Sequence, residues 1–340
     1  MSLSNIIFLL VFLSLTTLFI VNLRKIIYNI NLGNDINRSG QKADRWKNMI
    51  RVALGQSKMT RRPIAGILHI LIYVGFVIIN IEIIEIIIDG IFGTHRYLAT
   101  IIPISIYNFL IATFEILAFL VLFACVIFWT RRNLVKIKRF WSKEMTKWPR
   151  SDANLILIFE VLLMTAFLSM NAADCVLQSS ETKYIKAGSF PISNFIVPMF
   201  SNYDVSTLYF IERFCWWFHI VGILLFMNYI VISKHLHIFF AFPSTYYAKL
   251  SPLGKMDNLD SVTKEVKLML DPNADPFANP AATTETPVQI FGAKDATDLN
   301  WVQLLNSYSC TECGRCTSVC PANQTGKMLS PRKIMMDTRA

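Results

Sequence analysis

Five long stretches of this chain are almost purely apolar, and they decide what it can fold into. They run about Asn5–Val21, Ile64–Ile91, Ile101–Trp129, Ala153–Leu177 and Ser206–Ser233. At roughly 1.5 Å per helical residue, each is long enough to cross about 30 Å of hydrocarbon. The composition agrees: 54% of the residues are hydrophobic and 16% are charged, against about 25% charged in an ordinary soluble domain. Too few charges are available to cover a water-facing surface. The expected fold is an all-α membrane protein, a five-helix transmembrane bundle.

The formal net charge of +10 would suit a nucleic-acid binder, but its distribution excludes that class. One basic cluster holds Arg24, Lys25, Arg38, Lys42, Arg45, Lys47, Arg51, Lys58, Arg61 and Arg62, and a second runs from Arg131 to Arg150. The two alternate segments carry only Arg96 in one and Lys183 and Lys186 in the other. Alternation of this kind is the positive-inside pattern. It predicts a multi-pass protein of the cytoplasmic (inner) membrane, with the N-terminus outside and everything after the fifth span in the cytoplasm. The N-terminus has neither a basic region nor a small-residue cleavage site, so it is expected to remain as the first helix.

Between the first two spans, Trp46, Met49, Ile50, Ala53 and Leu54 recur at helical spacing, with Gly55 positioned to stop the helix. An interfacial amphipathic helix bracing the membrane surface is expected there. Residues 1–240 form the membrane domain, 241–296 a cytoplasmic linker with one short helix at Ser261–Leu270, and 297–340 a further segment. The stretch Asp271–Pro287 has the Pro, Ala, Asp and Thr content of a flexible tether. A helix over Thr297–Leu305 leads into four cysteines, and Met328–Arg339 has the pattern of a helix start.

Those cysteines carry the most specific signal. Cys310, Cys313, Cys316 and Cys320, followed by Pro321, form C-x2-C-x2-C-x3-C-P, the ferredoxin-type iron–sulfur run. Two-residue spacings let one tight loop offer three thiolates to one cubane, so a 4Fe–4S cluster is expected. Zinc is the competing metal, because soft thiolates suit it too. A reducing cytoplasm disfavours disulfides. In two-cluster ferredoxins the fourth cysteine of such a run ligates the other cluster. A second run would then follow, and the segment is read as truncated at Ala340. Cys125, Cys175 and Cys215, isolated in or beside apolar spans, are expected to be small buried hydrophobes.

The histidines suggest a second cofactor. His69 lies about one and a half turns into the second span. His219 and His237 are 18 residues apart, which on one continuous fifth helix is five turns and about 27 Å. His69 and His237 then share a depth on different helices, where two neutral imidazoles can hold a b-type haem from both sides. Satisfied interfacial histidines explain the spacing equally well. His235 is the substitute ligand. His219 has no histidine partner at its depth on the second span, where Ile79 and Asn80 stand, so one haem is expected rather than two. His219 is left to a quinone site or to packing.

The stretch from Phe218-His219 through Ser233-Lys234-His235-Leu236-His237-Ile238 to Pro243 resembles the last helix of the nitrate reductase gamma subunit-like membrane cytochromes. That resemblance implies five spans with haem b between the second and fifth. It maps cytoplasmic-side ligands onto His69 and His237 and one outer ligand onto His219, while Ile79 departs from the pattern. With the linker and cysteine run, the whole chain resembles the membrane-bound iron–sulfur oxidoreductases related to heterodisulfide reductase. The implied role is a quinone-linked electron-transfer oxidoreductase subunit. Its partners would be membrane quinone and a cytoplasmic iron–sulfur or dithiol/disulfide-type redox subunit.

Glu82 and Glu85 sit in the outer half of the second span, with Asn80 and Asp89 nearby, and Glu115 and Glu160 lie in the third and fourth. Intramembrane carboxylates are functional candidates by default. Glu82, Glu85 and His219 are therefore the candidates for proton and quinone chemistry, with hydrogen bonding to neighbouring helices or to Arg213 as the structural alternative. A haem-free membrane anchor or redox sensor tethering a ferredoxin module is the competing function. It differs in predicting a visible spectrum indifferent to His69 and His237.

Overall fold

The computed structural model describes residues 2–182, 184–252, 254–256, 258–273 and 292–340. Among the described residues, five helices are long and apolar enough to cross a membrane: α1 Leu3–Ile30, α3 Pro63–Phe92, α4 Ile104–Asn133, α5 Trp148–Ser180 and α6 Val205–Ile230. Between the first two lies α2, Lys42–Met49, and beyond α6 come α7 His237–Tyr246, α8 Asp260–Leu270, α9 Trp301–Tyr308 and α10 Pro331–Arg339. The expected flexible tether over Asp271–Pro287 lies largely outside the described residues, at positions 274–287.

Local chemistry sets the helix ends. Pro63 and Pro149 stand in the first turns of α3 and α5, where a missing N–H costs nothing. Asp204 caps α6 by accepting from the Thr207 N–H, and Ser330 caps α10 by accepting from Lys333. The first span is longer than its apolar stretch, because the mixed residues from Asn22 to Asn29, Arg24 and Lys25 among them, continue α1 into the basic loop region.

The spanning helices pack as a ring, α1 against α3, α3 against α4, α4 against α5, α5 against α6, and α6 back against α1. The second and fifth spans therefore face each other across the ring rather than side by side. Phe8, Tyr107, Ile111, Phe167 and Ile220 fill its interior. Phe109, Phe123, Phe210 and Phe214 point outward and stay exposed, as lipid-facing residues do.

The fifth span ends earlier than its apolar run suggests, which corrects the expectation that His219 and His237 share one helix. Asp152 near the start of α5 is 1% exposed. It accepts from the Tyr229 hydroxyl at 2.5 Å, the Ser233 hydroxyl at 2.7 Å and the Lys234 N–H at 3.1 Å. These bonds draw the chain out of helical geometry after Ile230. A 3-10 turn over Lys234–Leu236 follows, then α7. His235 and His237 thus stand on a reoriented segment at the basic end of the ring.

The amphipathic loop helix is present as α2, continued by a π-helical turn over Ile50–Leu54 and stopped at Gly55. Trp46, Ile50 and Leu54 are exposed, as a membrane-surface helix requires. Its other side is docked: the buried Arg45 guanidinium donates to the carbonyls of Gly40, Tyr246 and Ala248, so it caps the C-terminus of α7. On α8, Val262, Val266, Met269 and Leu270 are all exposed.

The C-terminal segment closes on the same end of the ring. Asn34 and Asn300 form a single parallel bridge, Trp301 Nε1 donates to the Ile36 carbonyl at 3.2 Å, and Leu305 is buried with Ile26, Ile30, Phe226 and Leu236. Gly33 makes this approach possible, since a Cβ there would lie 2.7–2.9 Å from the backbone of Leu299, Asn300 and Trp301. Gly33→Ala is expected to lift the segment off the bundle, seen as faster limited trypsin cleavage at Lys294. Asp152→Ala should lower stability by about 2–3 kcal/mol, because it strands two buried donors, the Ser233 hydroxyl and the Lys234 N–H, and frees the partly buried Tyr229 hydroxyl. Asp152→Asn should lose less, as a thermal melt in detergent would report.

Candidate functional site

Two groups of expected ligands meet at the basic end. His69 in the second turn of α3 and His237 at the start of α7 have ring centroids 6.4 Å apart, with planes inclined at 40°. A metal–imidazole bond is about 2 Å long, so two imidazoles on opposite sides of one metal put their centroids roughly 6 Å apart. The observed separation matches that spacing. His237 Nδ1 lies 3.1 Å from the Lys234 carbonyl, which can only accept. The proton is therefore on Nδ1, and Nε2 keeps its lone pair for a metal. Burial holds His237 below the ordinary histidine range, against the opposing effect of that carbonyl. His235, 5.4 Å from His237 between centroids, belongs to the same cluster. Burial, followed by the charges of His237 and His69, brings its pKa down to about 3. Both rings are neutral donors at pH 7.

His219 is not in this cluster. It is 2% exposed, its Nδ1 donates to the Leu163 carbonyl at 3.0 Å, and its ring packs on Phe167. Ile79, at the position where an outer partner would stand, is buried in the apolar interior.

The cysteine run forms a loop against the second basic cluster. Gly314 takes the left-handed conformation, φ +71°, and a Cβ there would meet the Arg332 guanidinium at 2.7 Å. Single helical turns follow at Arg315–Ser318 and Pro321–Gln324. Among the described residues, no three His, Cys, Asp or Glu side chains are gathered around one metal position. Four thiols have no mutual attraction without a metal, and such sites take shape with their metal. The donors around the sulfurs suit thiolates. The Glu312 N–H donates to Cys310 Sγ and Arg315 Nε to Cys313 Sγ, each at 3.4 Å. Hydrogen bonds to sulfur of this kind tune iron–sulfur sites. Burial acts to raise the Cys313 thiol, but the Arg315 N–H and guanidinium outweigh it and hold it below the ordinary thiol range. Burial pushes Cys310 up.

A charged network that the sequence pattern did not single out locks this loop in place. Arg332, 2% exposed, donates to the Arg139 carbonyl at 2.7 Å, to Glu144 at 2.6 Å and to the Ser142 hydroxyl. Glu312 pairs with Lys234 and Arg339, and Arg315 reaches the Lys58 carbonyl just before α3. The visible signal was an acidic residue, Glu312, between two cysteines of the run.

The opposite end holds most of the intramembrane carboxylates, and there structural roles predominate. Glu115 accepts from the Ile192 and Ser193 N–H groups and from Asn171, which anchors the loop before α6. Glu85 accepts from the Leu98 N–H and the Tyr107 hydroxyl, both at 2.9 Å. Arg96 is buried between Asp174, Tyr107 and Asn171, and His95 also bonds Asp174. Arg213 is taken by its neighbour Glu212, not by the carboxylates of α3. Glu82 differs. It is 4% exposed, its Oε2 has no hydrogen-bond partner, and it lines a cleft with Glu85, Arg96, Asp174, Glu212 and Arg213.

Comparison with known proteins agrees with an iron–sulfur redox protein of the membrane. Over 298 residues, 86% of the chain, it is 29% identical to the protein of Bacillus subtilis named "Probable iron-sulfur-binding oxidoreductase FadF", of which the match covers 36%. Over 306 residues, 88% of the chain, it is 25% identical to the EtfAB:quinone oxidoreductase of Syntrophomonas wolfei, of which the match covers 38%. A stretch of 46 residues is 44% identical to a Chromohalobacter salexigens protein named "Probable membrane-anchored ferredoxin", covering 14% of this chain and 7% of that one. The chain thus spans less than two-fifths of the first two relatives. No family model matches, and no solved structure does.

The Arg332–Glu144 pair supplies a pH test of how the cysteine segment is held. Burial acts to raise the Glu144 carboxyl, but the Arg332 guanidinium overrides it and brings it from 4.5 down to about 2. A depressed carboxylate stabilises fully above its unfolded value and loses that contribution as pH falls. Protection from hydrogen exchange across Pro331–Arg339, taken relative to the intrinsic rate at each pH, is therefore expected to fall as pH drops from about 4.5 to about 2. Glu144→Gln should remove that dependence.

Proposed function

We propose that the chain is an electron-transfer oxidoreductase subunit linking a membrane quinone pool to a cytoplasmic redox partner. Electrons would pass by way of one haem b and a 4Fe–4S cluster. The observation that carries this reading is the His69–His237 pair at 6.4 Å, one ring on α3 and the other at the start of α7, at the same end of the bundle as the loop of Cys310, Cys313, Cys316 and Cys320. The names of the two long relatives, an iron–sulfur-binding oxidoreductase and a quinone oxidoreductase, support the same chemistry. His69 and His237 would hold the haem, with His235 as the neighbouring substitute, and the four cysteines the cluster. When bound, these groups supply one-electron carriers at potentials set by their ligands and surroundings.

The chain's own residues handle orientation and protons. The Lys234 carbonyl fixes the His237 ring. Quinol gives up two protons with its two electrons, and Glu82, unpartnered at Oε2 in a cleft, is the residue suited to take or give one. The basic clusters support a cytoplasmic location for the cysteine segment. The match to a membrane-anchored ferredoxin favours the second reading, a haem-free anchor with a tethered cluster.

A reduced-minus-oxidised visible spectrum of the detergent-purified chain separates the two. The relay requires a b-type band that disappears in His69→Ala and in His237→Ala while iron and sulfide content is retained. Protein that carries iron and sulfide but no haem would leave the tethered ferredoxin. Glu82→Gln is expected to slow haem reduction by added quinol about 10- to 100-fold without altering the spectrum.

A further inference from the structure

One side chain spans the interval between the histidine cluster and the cysteine loop. Lys234 precedes His237 by one helical turn, and its carbonyl oxygen accepts from His237 Nδ1 at 3.1 Å. Its backbone N–H is held by Asp152 at 3.1 Å. Its ammonium group, meanwhile, donates to the Pro149 carbonyl at 2.6 Å and to the Glu312 carboxylate. Glu312 lies between the first two cysteines of the run and is 2% exposed. Its other oxygen accepts from Arg339 at 2.6 Å, and its N–H donates to Cys310 Sγ at 3.4 Å. It is held at φ +55°, a conformation unusual for a residue with a side chain. The backbone of Lys234 thus orients one expected ligand, while its side chain grips the loop that carries the others.

Stability alone is a weak reason for this arrangement. A buried ion pair recovers little net free energy after desolvation, and its best-attested use is to fix one arrangement against others. Gathering the cysteines around a metal would fix Glu312. A fixed Glu312 holds Lys234, and a fixed Lys234 holds the His237 ring in its metal-ready orientation. The same chain of contacts works in reverse, because coupling between two binding equilibria is reciprocal.

We propose that the Lys234–Glu312 pair couples the two cofactor sites, so that filling either one raises the affinity of the other. This inference rests on the two-cofactor reading above. The test titrates haem into the haem-depleted full chain in detergent, following the b-type absorbance, with the cysteines either reconstituted with iron and sulfide or left empty. Haem is expected to bind about tenfold more tightly to the reconstituted chain, within the usual range of site-to-site coupling. Glu312→Gln, which keeps the shape of the side chain, and Lys234→Met should each shrink that ratio below about twofold. Lys234→Arg should restore it, and Lys333→Met, which breaks an exposed pair within α10, should leave it unchanged. If Lys234→Met loses its helicity, Glu312→Gln carries the test. Equal haem affinity with filled and empty cysteines, or a ratio that survives in Glu312→Gln, overturns the coupling and leaves the two-cofactor reading standing. A wild-type chain that takes up no haem overturns both.

Discussion

Asp152 is the residue on which the basic end of the molecule depends. A carboxylate in an apolar setting must find donors, and this one finds three between Tyr229 in the last turn of the fifth span and Lys234 just beyond it. Meeting that demand turns the chain after Ile230, and the turn sets His235 and His237 beneath the ring rather than along its wall. It also leaves Lys234 pointing at the cysteine loop. The position of the histidine cluster against His69 is therefore a consequence of hydrogen bonding on α5 and not of helix periodicity on α6.

The two ends of the bundle solve the problem of buried charge differently. At the end away from the cysteines, Arg96 with Asp174, Glu85 with Tyr107, and Glu115 with the Ser193 loop are internally matched. They tie short connections to the spans. At the basic end the matched pairs cross between distant segments: Lys234 to Glu312, Arg332 to Glu144, and Arg45 to the end of α7. The first set holds the ring together, and the second fastens the cysteine segment to it. Glu82 and Glu160 stand outside both sets, and of the two only Glu82 lines the cleft at the end away from the cysteines.

Much of this was legible in the chain. Five spans, the loop helix at α2, the helix leading into the cysteines and the one at α10 all follow from apolar periodicity and capping residues. Local geometry and desolvation suffice to specify them. The pairing of His69 with His237 was legible by depth, although the continuous helix invoked for His219 and His237 was not what brought it about. The carboxylates were the least legible. Glu82, Glu85, Glu115 and Asp89 look alike as isolated acids in apolar surroundings, and only their partners distinguish an anchor such as Glu115 from an unpartnered group such as Glu82. Asp152, Asp174, Lys234, Glu312 and Arg332 passed unnoticed because each gains its meaning from a residue dozens to hundreds of positions away.

What the sequence determined by itself is the class of molecule and its inventory. The apolar spans must be helices in a membrane, because lipid offers the backbone no hydrogen-bond partners. The spacing of Cys310, Cys313, Cys316 and Cys320 points to thiolate metal chemistry of the iron–sulfur kind, because it is set within a dozen residues. Tertiary structure alone decided the order of the ring, the turn after Ile230 and the meeting of the histidine cluster with the cysteine loop. Those features depend on which charged groups find one another across the fold. Such pairings are fixed by desolvation in three dimensions, where separation along the chain carries no information about distance.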